Sequence, residues 1–418
     1  MKLSKMGIKT SKTRGTDEMF AHEFLLQSGQ LKKFSAGVYG LGPMLLLARE
    51  NIINIIRKNL NRYDCVEQVL PTLQPKQLWV NSGRWQGYVD SGTMFNFKGK
   101  NGEYCMAPTA EEFSMEFINN SLKSYRDLEV NLYQFGSKYR DEIRVRGGLF
   151  RSKEFLMKDG YSFHENKENM EKEFFRMKQC YLDIYKEVGL DVVPVDAVNT
   201  MGGKVSNEFM CFTEYGEDVV LYDKERNIAF NVEVLEDEEL KQILLDKHPG
   251  LDINTLEEVK GIELGHIFQN NQFYSKSMNG KFINREGKED YYWMGCYGIG
   301  VNRVLYMAVI KNLTEENGLV WPLNITPYKC NIINLNDEKL NAVAEELYNE
   351  LLKNDISVAW DDRDMTMGSK LKDNELFGLP IVIILGKKYF ENGLFEVENR
   401  ITKEKSFLTK EEIVELLK

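Results

Sequence analysis

The stretch from Lys138 to Asp159, KYRDEIRVRGGLFRSKEFLMKD, concentrates residue types that bind anions and stack on flat rings. Seven Lys/Arg stand against three Asp/Glu between Lys138 and Lys158, in a chain of formal net charge -10. A local positive site in an acidic protein attracts an anion. A guanidinium held on a strand grips a phosphate bidentately, and a phenyl face beside it can stack on a purine ring. Arg140, Arg151 and Phe155 therefore suit a nucleotide. A hairpin with a solvated charged face is the alternative. The ordered spacing Arg-x-Glu, loop, Arg-x-x-x-Phe-x-x-x-Asp weighs against it.

Groups of this kind need rigid support. The stretch reads as a strand from Leu132 to Tyr139, a turn at Gly147-Gly148 and a second extended run from Arg151 to Met157, an antiparallel hairpin with the two arginines on opposite strands. Upstream, Glu23 to Gly37 reads as a helix ending in a glycine. Pro43 suits the first turn of a helix reaching Leu60, with Leu45, Ala48, Ile52, Ile56 and Leu60 on its apolar face. A strand from Val66 to Leu70 then ends at Pro71. Strands near Met94 to Phe97 and Tyr104 to Met106 make a further hairpin. Ala107 to Glu112 reads as a helix start in which Thr109 caps, and a second role for Thr109 and Glu111, facing a pocket, stays open.

Farther on, Glu165 to Val188 reads as a charged helix, and the glycines of Met201-Gly202-Gly203 permit a turn. Val234 to Val259 is an acidic insertion broken at Pro249-Gly250. Gly261 to Gln269 reads as a buried strand carrying His266, and an isolated strand histidine is commonly a satisfied core residue. Trp293 to Arg303 runs from strand into helix through three glycines, where backbone can approach a nucleotide and Arg303 can reach a phosphate. Beyond Trp321-Pro322 come a strand (Asn331 to Leu335), a helix (Glu338 to Lys353), a strand (Ile356 to Trp360), a helix and a strand (Ile381 to Leu385), a compact α/β domain.

At 418 residues and 43% hydrophobic content the chain suits two or three domains. No apolar run approaches the roughly 18 residues of a membrane span. The basic start MKLSKMGIKTSKTRG lacks the apolar core of a signal peptide, and Asp17-Glu18 arrive early for a transit peptide, so a cytoplasmic location is expected. Six cysteines without CxxC pairs and four histidines without metal spacing indicate neither a disulfide framework nor a metal site. Cys296 is expected to pack.

Tyr139-Arg140-Asp141-Glu142 followed by Arg151 to Asp159 resembles motif 2 of the class II aminoacyl-tRNA synthetases, in the wording of the prolyl-tRNA synthetase family, and the resemblance runs over nearly the whole chain. The Pro43 helix, the strand and Pro71 in VLPTLQP resemble motif 1, which implies a homodimer. Trp293 to Arg303 resembles motif 3. The implied fold is α+β: a class II catalytic domain built on an antiparallel sheet flanked by helices, then a small α/β anticodon-binding domain. Its expected parts are 1–233 (first catalytic part), 234–259 (a short insertion in place of an editing domain), 260–320 (second catalytic part) and 321–418 (anticodon binding).

The resemblance implies ATP-dependent ligation of L-proline to tRNA(Pro) through a prolyl-adenylate, with release of AMP and pyrophosphate. It makes Arg140 and Arg303 catalytic, and assigns ATP to Arg140, Glu142, Arg151, Phe155, Gln269 and Arg303. Proline falls to Thr109, Glu111, Arg140, Met157, His266 and Phe268, and tRNA to Arg144, Arg146, Arg363 and Lys370. Mg²⁺ would be held mainly by ATP oxygens, without a dedicated protein cage. No membrane or DNA partner is implied. The Met201 to Phe209 turn resembles a family GG-x-x-S-x-Glu-Phe segment and receives no catalytic role. Asn270 to Phe273 departs from the family's Leu-Gly-Thr-Lys, which bears on the pocket shape.

From Pro322 onward the chain has 13 Lys/Arg against 18 Asp/Glu. Charge there does not suggest RNA. That assignment rests on the resemblance of Asp361-Asp362-Arg363, Gly368-x-Lys370 and Glu375-Leu376-x-Gly378-x-Pro380, with a solvated turn as the alternative. Two rival readings remain: a paralogue that activates an amino acid for a non-tRNA acceptor, and a non-catalytic tRNA-binding regulator. The first predicts a ruined C-terminal domain and the second predicts lost arginines.

Overall fold

Nine strands of one unit hydrogen-bond into a sheet: β1 (Val66–Glu67), β2 (Val130–Tyr139), β3 (Glu154–His164), β4 (Val193–Val198), β5 (Val205–Phe212), β6 (Asp218–Asp223), β7 (Ile228–Asn231), β8 (Glu257–Asn271) and β9 (Trp293–Gly300). Their order is β5-β4-β7-β6-β8-β9-β3-β2-β1, with a further pairing of β5 to β8. This computed structural model describes residues 1–11, 19–119, 121–145, 147–198 and 205–418. The chain divides into two units, one of Met1–Ser35, Tyr39–Ile53 and Met307–Lys418, the other of Ala36–Val38 and Asn54–Tyr306.

The centre of the sheet is antiparallel. β2 pairs with β3 from Val130↔Phe163 to Tyr139↔Glu154, and β3 with β9 from His164↔Trp293 to Met157↔Gly300. Strand alternation then sorts the side chains. Lys158 turns to the back, where its ammonium meets the Tyr181 hydroxyl at 3.0 Å. Tyr181 belongs to α4 (Lys167–Val188), a helix capped by the Asn166 side chain and ended by Gly189 at φ 91°. Its Met177, Ile184 and Tyr185 are fully buried. Gly265 is required here, since a Cβ on it would stand 2.3 Å from the Tyr185 hydroxyl.

Strands β4 to β8 also close on themselves, through β5–β4, β4–β7, β7–β6, β6–β8 and β8–β5. Val195, Met210, Val220 and Ala229 fill this small ring. On β8 the register shifts against β5, from Phe209↔Gly265 to Met210↔Glu263. The bulge reverses the alternation, so Glu263 and His266 share one face. The acidic insertion carries α5 (Glu238–Lys247), whose Leu240 and Leu244 pack with Leu221, Phe230 and Val234. It has its own small core.

In the other unit five strands run in the order β11-β10-β12-β13-β14: β10 (Cys330–Asn334), β11 (Val358–Asp361), β12 (Ile381–Leu385), β13 (Phe395–Asn399) and β14 (Glu404–Leu408). The helix Glu338–Lys353 starts on the Asp337 side chain and buries Leu340, Ala344, Leu347 and Leu351 against them. The last two strands and the helix Lys410–Leu417 lie outside the sequence expectation.

Three expectations change. Glu23 to Gly37 is not one helix: Phe20–Gln27 is helical, Gly29 at φ 69° stops it, and Leu31–Ser35 and Val38–Leu41 form a hairpin turned at Gly37, φ 74°. Val66 to Leu70 shrinks to a two-residue strand parallel to β2. The second arm of the 138–159 hairpin starts at Glu154, so Gly147 and Gly148, at φ 64° and 61°, sit inside a long loop and not in a tight turn. The glycines of 201–203 lie outside the described residues. By contrast the Pro43 helix runs to Arg62, with Leu45, Ala48, Ile52, Ile56 and Leu60 all buried. Among the described residues no helix is long and apolar enough to cross a membrane.

Candidate active site

A cavity of about 280 Å³ opens over the front of β3, β8 and β9. Thr109, Glu111, Arg140, Glu142, Arg151, Phe155, Met157, His266, Phe268 and Arg303 all line it. Gln269 does not. His266 and Phe268 share a parity on β8, and Gln269, opposite Gly295, has the other. The other unit holds a larger hollow, lined by Ile8, Phe24 and Leu376 among others, whose described arginine, Arg363, is spent on carboxylates. Convergent chemistry, not size, marks the smaller cavity.

Three of the four guanidinium groups that line it among the described residues, those of Arg140, Arg151 and Arg303, come from three places, each fixed by a protein acceptor. Arg140 follows β2, its backbone N–H bonded to Lys153 O, and its Nε donates to Pro108 O at 3.3 Å. Its guanidinium stands 5.4 Å from the Phe155 ring centre. Arg151 pairs with Glu217 at 3.1 Å. Arg303, in the first turn of the helix Val301–Asn312, donates through Nε to Phe150 O at 2.9 Å and through Nη1 to Glu263 O and Oε2 at 2.8 and 3.1 Å. Such anchoring aims a guanidinium while its remaining N–H groups stay available to an anion.

At the opposite corner Glu111 is 3% exposed, at the start of α3 (Glu111–Asn119). Its Oε2 accepts from Thr109 Oγ1 at 2.6 Å and from Arg84 Nη1 at 3.2 Å. The Thr109 hydroxyl is thus spent on a carboxylate, not on a helix cap. Glu112, fully buried, takes Ser82 Oγ at 2.8 Å and the same Arg84 Nη1 at 3.0 Å. Burial pushes both carboxyls up, but Arg84 and the Thr109 hydroxyl hold Glu111 below the ordinary carboxylate range. Glu112, buried and repelled by Glu111, ends above it. The Cys296 thiol lies 3.5 Å from Glu111 Oε1 and burial raises it, so it packs as an inert neutral group.

On β8, His266 stacks on Phe268 with ring centres 3.8 Å apart and meets Ser206 Oγ at 2.7 Å. Its Nδ1 lies 3.3 Å from Glu263 Oε1 and 3.7 Å from Glu208 Oε1. Burial, then repulsion from Glu263, pushes the Glu208 carboxyl up to about 8. Glu263 is held well below its usual range against burial, by His266 and Arg303. Ligand atoms of Glu208, Glu263 and His266 lie within 4.8 Å of one another, a group that could hold a metal ion. Sequence reading expected no metal set and did not single out this group, because strand pairing Glu208↔His266 brings distant segments together. The nearest sequence signal was the alternation of Ser206 and Glu208 on one strand face.

Arg144 is exposed in the hairpin loop, and Arg146 lies outside the described residues. Arg363 bonds Asp361 at 2.8 and 2.6 Å and pairs with Asp373 at 2.8 Å. Lys370 is fully buried, and its ammonium donates to Asn334 O and Asp361 O at 2.9 Å each and to Asn336 Oδ1 at 3.3 Å. Lys370 holds its loop together and offers no donor to a ligand arriving from solvent, which corrects the expectation of a direct RNA contact.

Residues 95–312 match the family described as tRNA synthetase class II core domain (G, H, P, S and T), and residues 329–418 match the anticodon binding domain. The proline--tRNA ligase of Rickettsia bellii (strain OSU 85-389) is 38% identical over 392 residues, covering 92% of this chain and 90% of its own. That of Anaplasma phagocytophilum (strain HZ) is 35% identical over 429 residues, 99% of both chains. Among solved structures, prolyl-tRNA synthetase from Cryptosporidium parvum complexed with halofuginone and AMPPNP superposes with a TM-score of 0.75 at 17% identity, over 95% of this chain and 76% of that one.

Proposed function

The chain belongs to the proline--tRNA ligase family of class II aminoacyl-tRNA synthetases, and from that membership we infer that the cavity over β3, β8 and β9 is where ATP activates proline. The protein joins L-proline to tRNA at the expense of ATP. The observation that carries the site is the convergence of Arg140, Arg151, Arg303 and Phe155 on one cavity whose far corner holds Thr109 and Glu111.

The carboxylate of proline attacks the α-phosphorus, the bond to pyrophosphate breaks, and the resulting prolyl-adenylate gives its acyl group to the terminal ribose of tRNA(Pro), releasing AMP. A carboxylate is already a competent nucleophile, so the first step asks for orientation and neutralised charge, not for a base. On this reading Arg140 bridges the α-phosphate and the substrate carboxylate, Arg151 and Arg303 take the outer phosphate, and Phe155 stacks on adenine, whose amino group donates to Glu142. Glu111 and Thr109 receive the ring ammonium, while Met157, His266 and Phe268 pack the pyrrolidine.

Mg²⁺ prefers oxygen ligands and keeps much of its shell from phosphates. Glu263 lines the cavity and Glu208 lies beside it, so these two carboxylates fit such an ion, which would neutralise phosphate charge. The division of labour follows the family: catalysis in 1–233 and 260–320, the 234–259 insertion between them, and anticodon binding in 321–418, with Arg144 free to meet the acceptor end. Arg363 keeps the loop of its domain in shape for the RNA. Val66, Val69 and Leu73 flank Pro71 at 58%, 84% and 49% exposure, an apolar edge suited to a second copy in a homodimer. A cytoplasmic site of action completes the reading.

ATP–pyrophosphate exchange across the amino acids tests it, followed by transfer to tRNA with and without a proline anticodon. Proline should drive exchange and only the proline-anticodon tRNA should be charged. Exchange that ignores proline would overturn the reading.

A further inference from the structure

The cavity contains a cation that the activation step does not use. Arg84 lines it, sits at the entry to the helix Trp85–Asp90, and has its side chain 14% exposed. Its guanidinium is fixed on every side: Nη2 donates to the Tyr88 hydroxyl at 2.8 Å, and the rings of Trp79, Tyr88 and Tyr274 lie 5.3, 5.0 and 5.3 Å from its carbon. Nη1 reaches both Glu111 and Glu112.

We propose that Arg84 is the positioning residue of the amine corner: it pins Glu111 Oε2, so that Oε1 is kept for the ammonium of the substrate. This rests on the reading of the cavity as the proline-activation site. Two donors, Arg84 and Thr109, already occupy Oε2. Among the described residues the side-chain donor to Oε1 is the Cys296 thiol at 3.5 Å, a weak donor that a charged ammonium readily displaces. A buried carboxylate is costly unless paired. Arg84 supplies that pairing without approaching from the substrate side. Arg84 and the Thr109 hydroxyl hold Glu111, which lines the cavity, below the ordinary carboxylate range, while burial and the Glu111 charge raise Glu112 behind it. A lysine here could not span Glu111, Glu112 and Tyr88 with one planar fork.

The test uses the full chain in ATP–pyrophosphate exchange, comparing the parent with R84M and R84K. For R84M the KM for proline should rise roughly 10- to 100-fold, with the KM for ATP within about twofold. R84K should recover part of the loss. The ring-oxygen analogue of proline, tetrahydrofuran-2-carboxylate, carries no ammonium, and its inhibition constant should be the same in parent and variants. A KM for proline within about twofold of the parent in a variant folded by near-UV circular dichroism would overturn the proposal. So would equal weakening of the analogue. If R84M does not fold, R84K decides by the same criteria. A parent that shows no proline-dependent exchange overturns the function instead, so the two failures read differently.

Discussion

The two units spend their cations differently. In the cavity over β3, β8 and β9 each of Arg140, Arg151 and Arg303 has one or a few protein acceptors and still faces open space. In the C-terminal unit Arg363 is bridged between two aspartates and Lys370 gives its ammonium to three oxygens at full burial. In sequence the two sets looked alike. A basic residue becomes a ligand group only where the fold leaves some of its donors unmatched, and it becomes a strut where the fold matches them all.

The sharpest way to break that contrast is to truncate one residue from each set. Replacing Arg140 with Ala should lower proline-dependent exchange by about 10³-fold while the melting temperature stays close to the parent, because the lost bond is to one carbonyl and the lost function is transition-state charge. Exchange near the parent rate would mean the anion clamp lies elsewhere. Lys370→Met should do the reverse. It strands two buried carbonyls, Asn334 O and Asp361 O, and should destabilise the C-terminal unit by roughly 1–3 kcal/mol, read by denaturant unfolding, with exchange intact. A fully stable K370M that binds tRNA more weakly would restore the direct contact rejected above.

A smaller effect belongs to Phe155. Phe155→Ala should raise the KM for ATP about 10-fold with little change in the KM for proline, since the ring contributes a stacking face and supports Arg140 at 5.4 Å. Equal loss for both substrates would make the phenyl ring a packing residue. It would then resemble the struts of the other unit.

What the sequence disclosed follows the same physics. The pairing of β2 with β3 was legible from its extended runs, and strand alternation puts Phe155 and Met157 on one face, while Arg140, Glu142 and Arg151 lie beyond the strand ends; the Glu338–Lys353 helix was legible from its apolar period. Gln269 lies one step along β8 from Phe268, opposite Gly295, so its parity differs from that of His266 and Phe268, which the run of residues alone does not show. Glu208 was passed over because its meaning comes from lying across the ladder from His266, and Arg84 because only the folded chain brings Glu111 and Glu112 to it. The Gly29 break and the hairpin after it were hidden since a glycine near a helix end signals a stop without saying where.

Glu208 offers the finest discrimination, because it is a buried acid rather than a buried base, matched to a neighbour of the same sign. Its carboxyl titrates near pH 8 in the folded protein and near 4.5 when unfolded, so between those values the folded state holds the extra proton. The stability this confers is complete below about pH 4.5 and drains away as the pH rises through 8. Glu263, held low, is ionised across that whole window and contributes a constant. Glu208→Gln removes the titration and keeps the shape. Relative to this variant the parent should therefore lose roughly 4 kcal/mol between pH 5 and pH 8.5, seen as converging or crossing melting curves. Parallel curves across that range would mean that Glu208 is ionised beside Glu263 in the folded protein, matched as fully as the cations of the C-terminal unit.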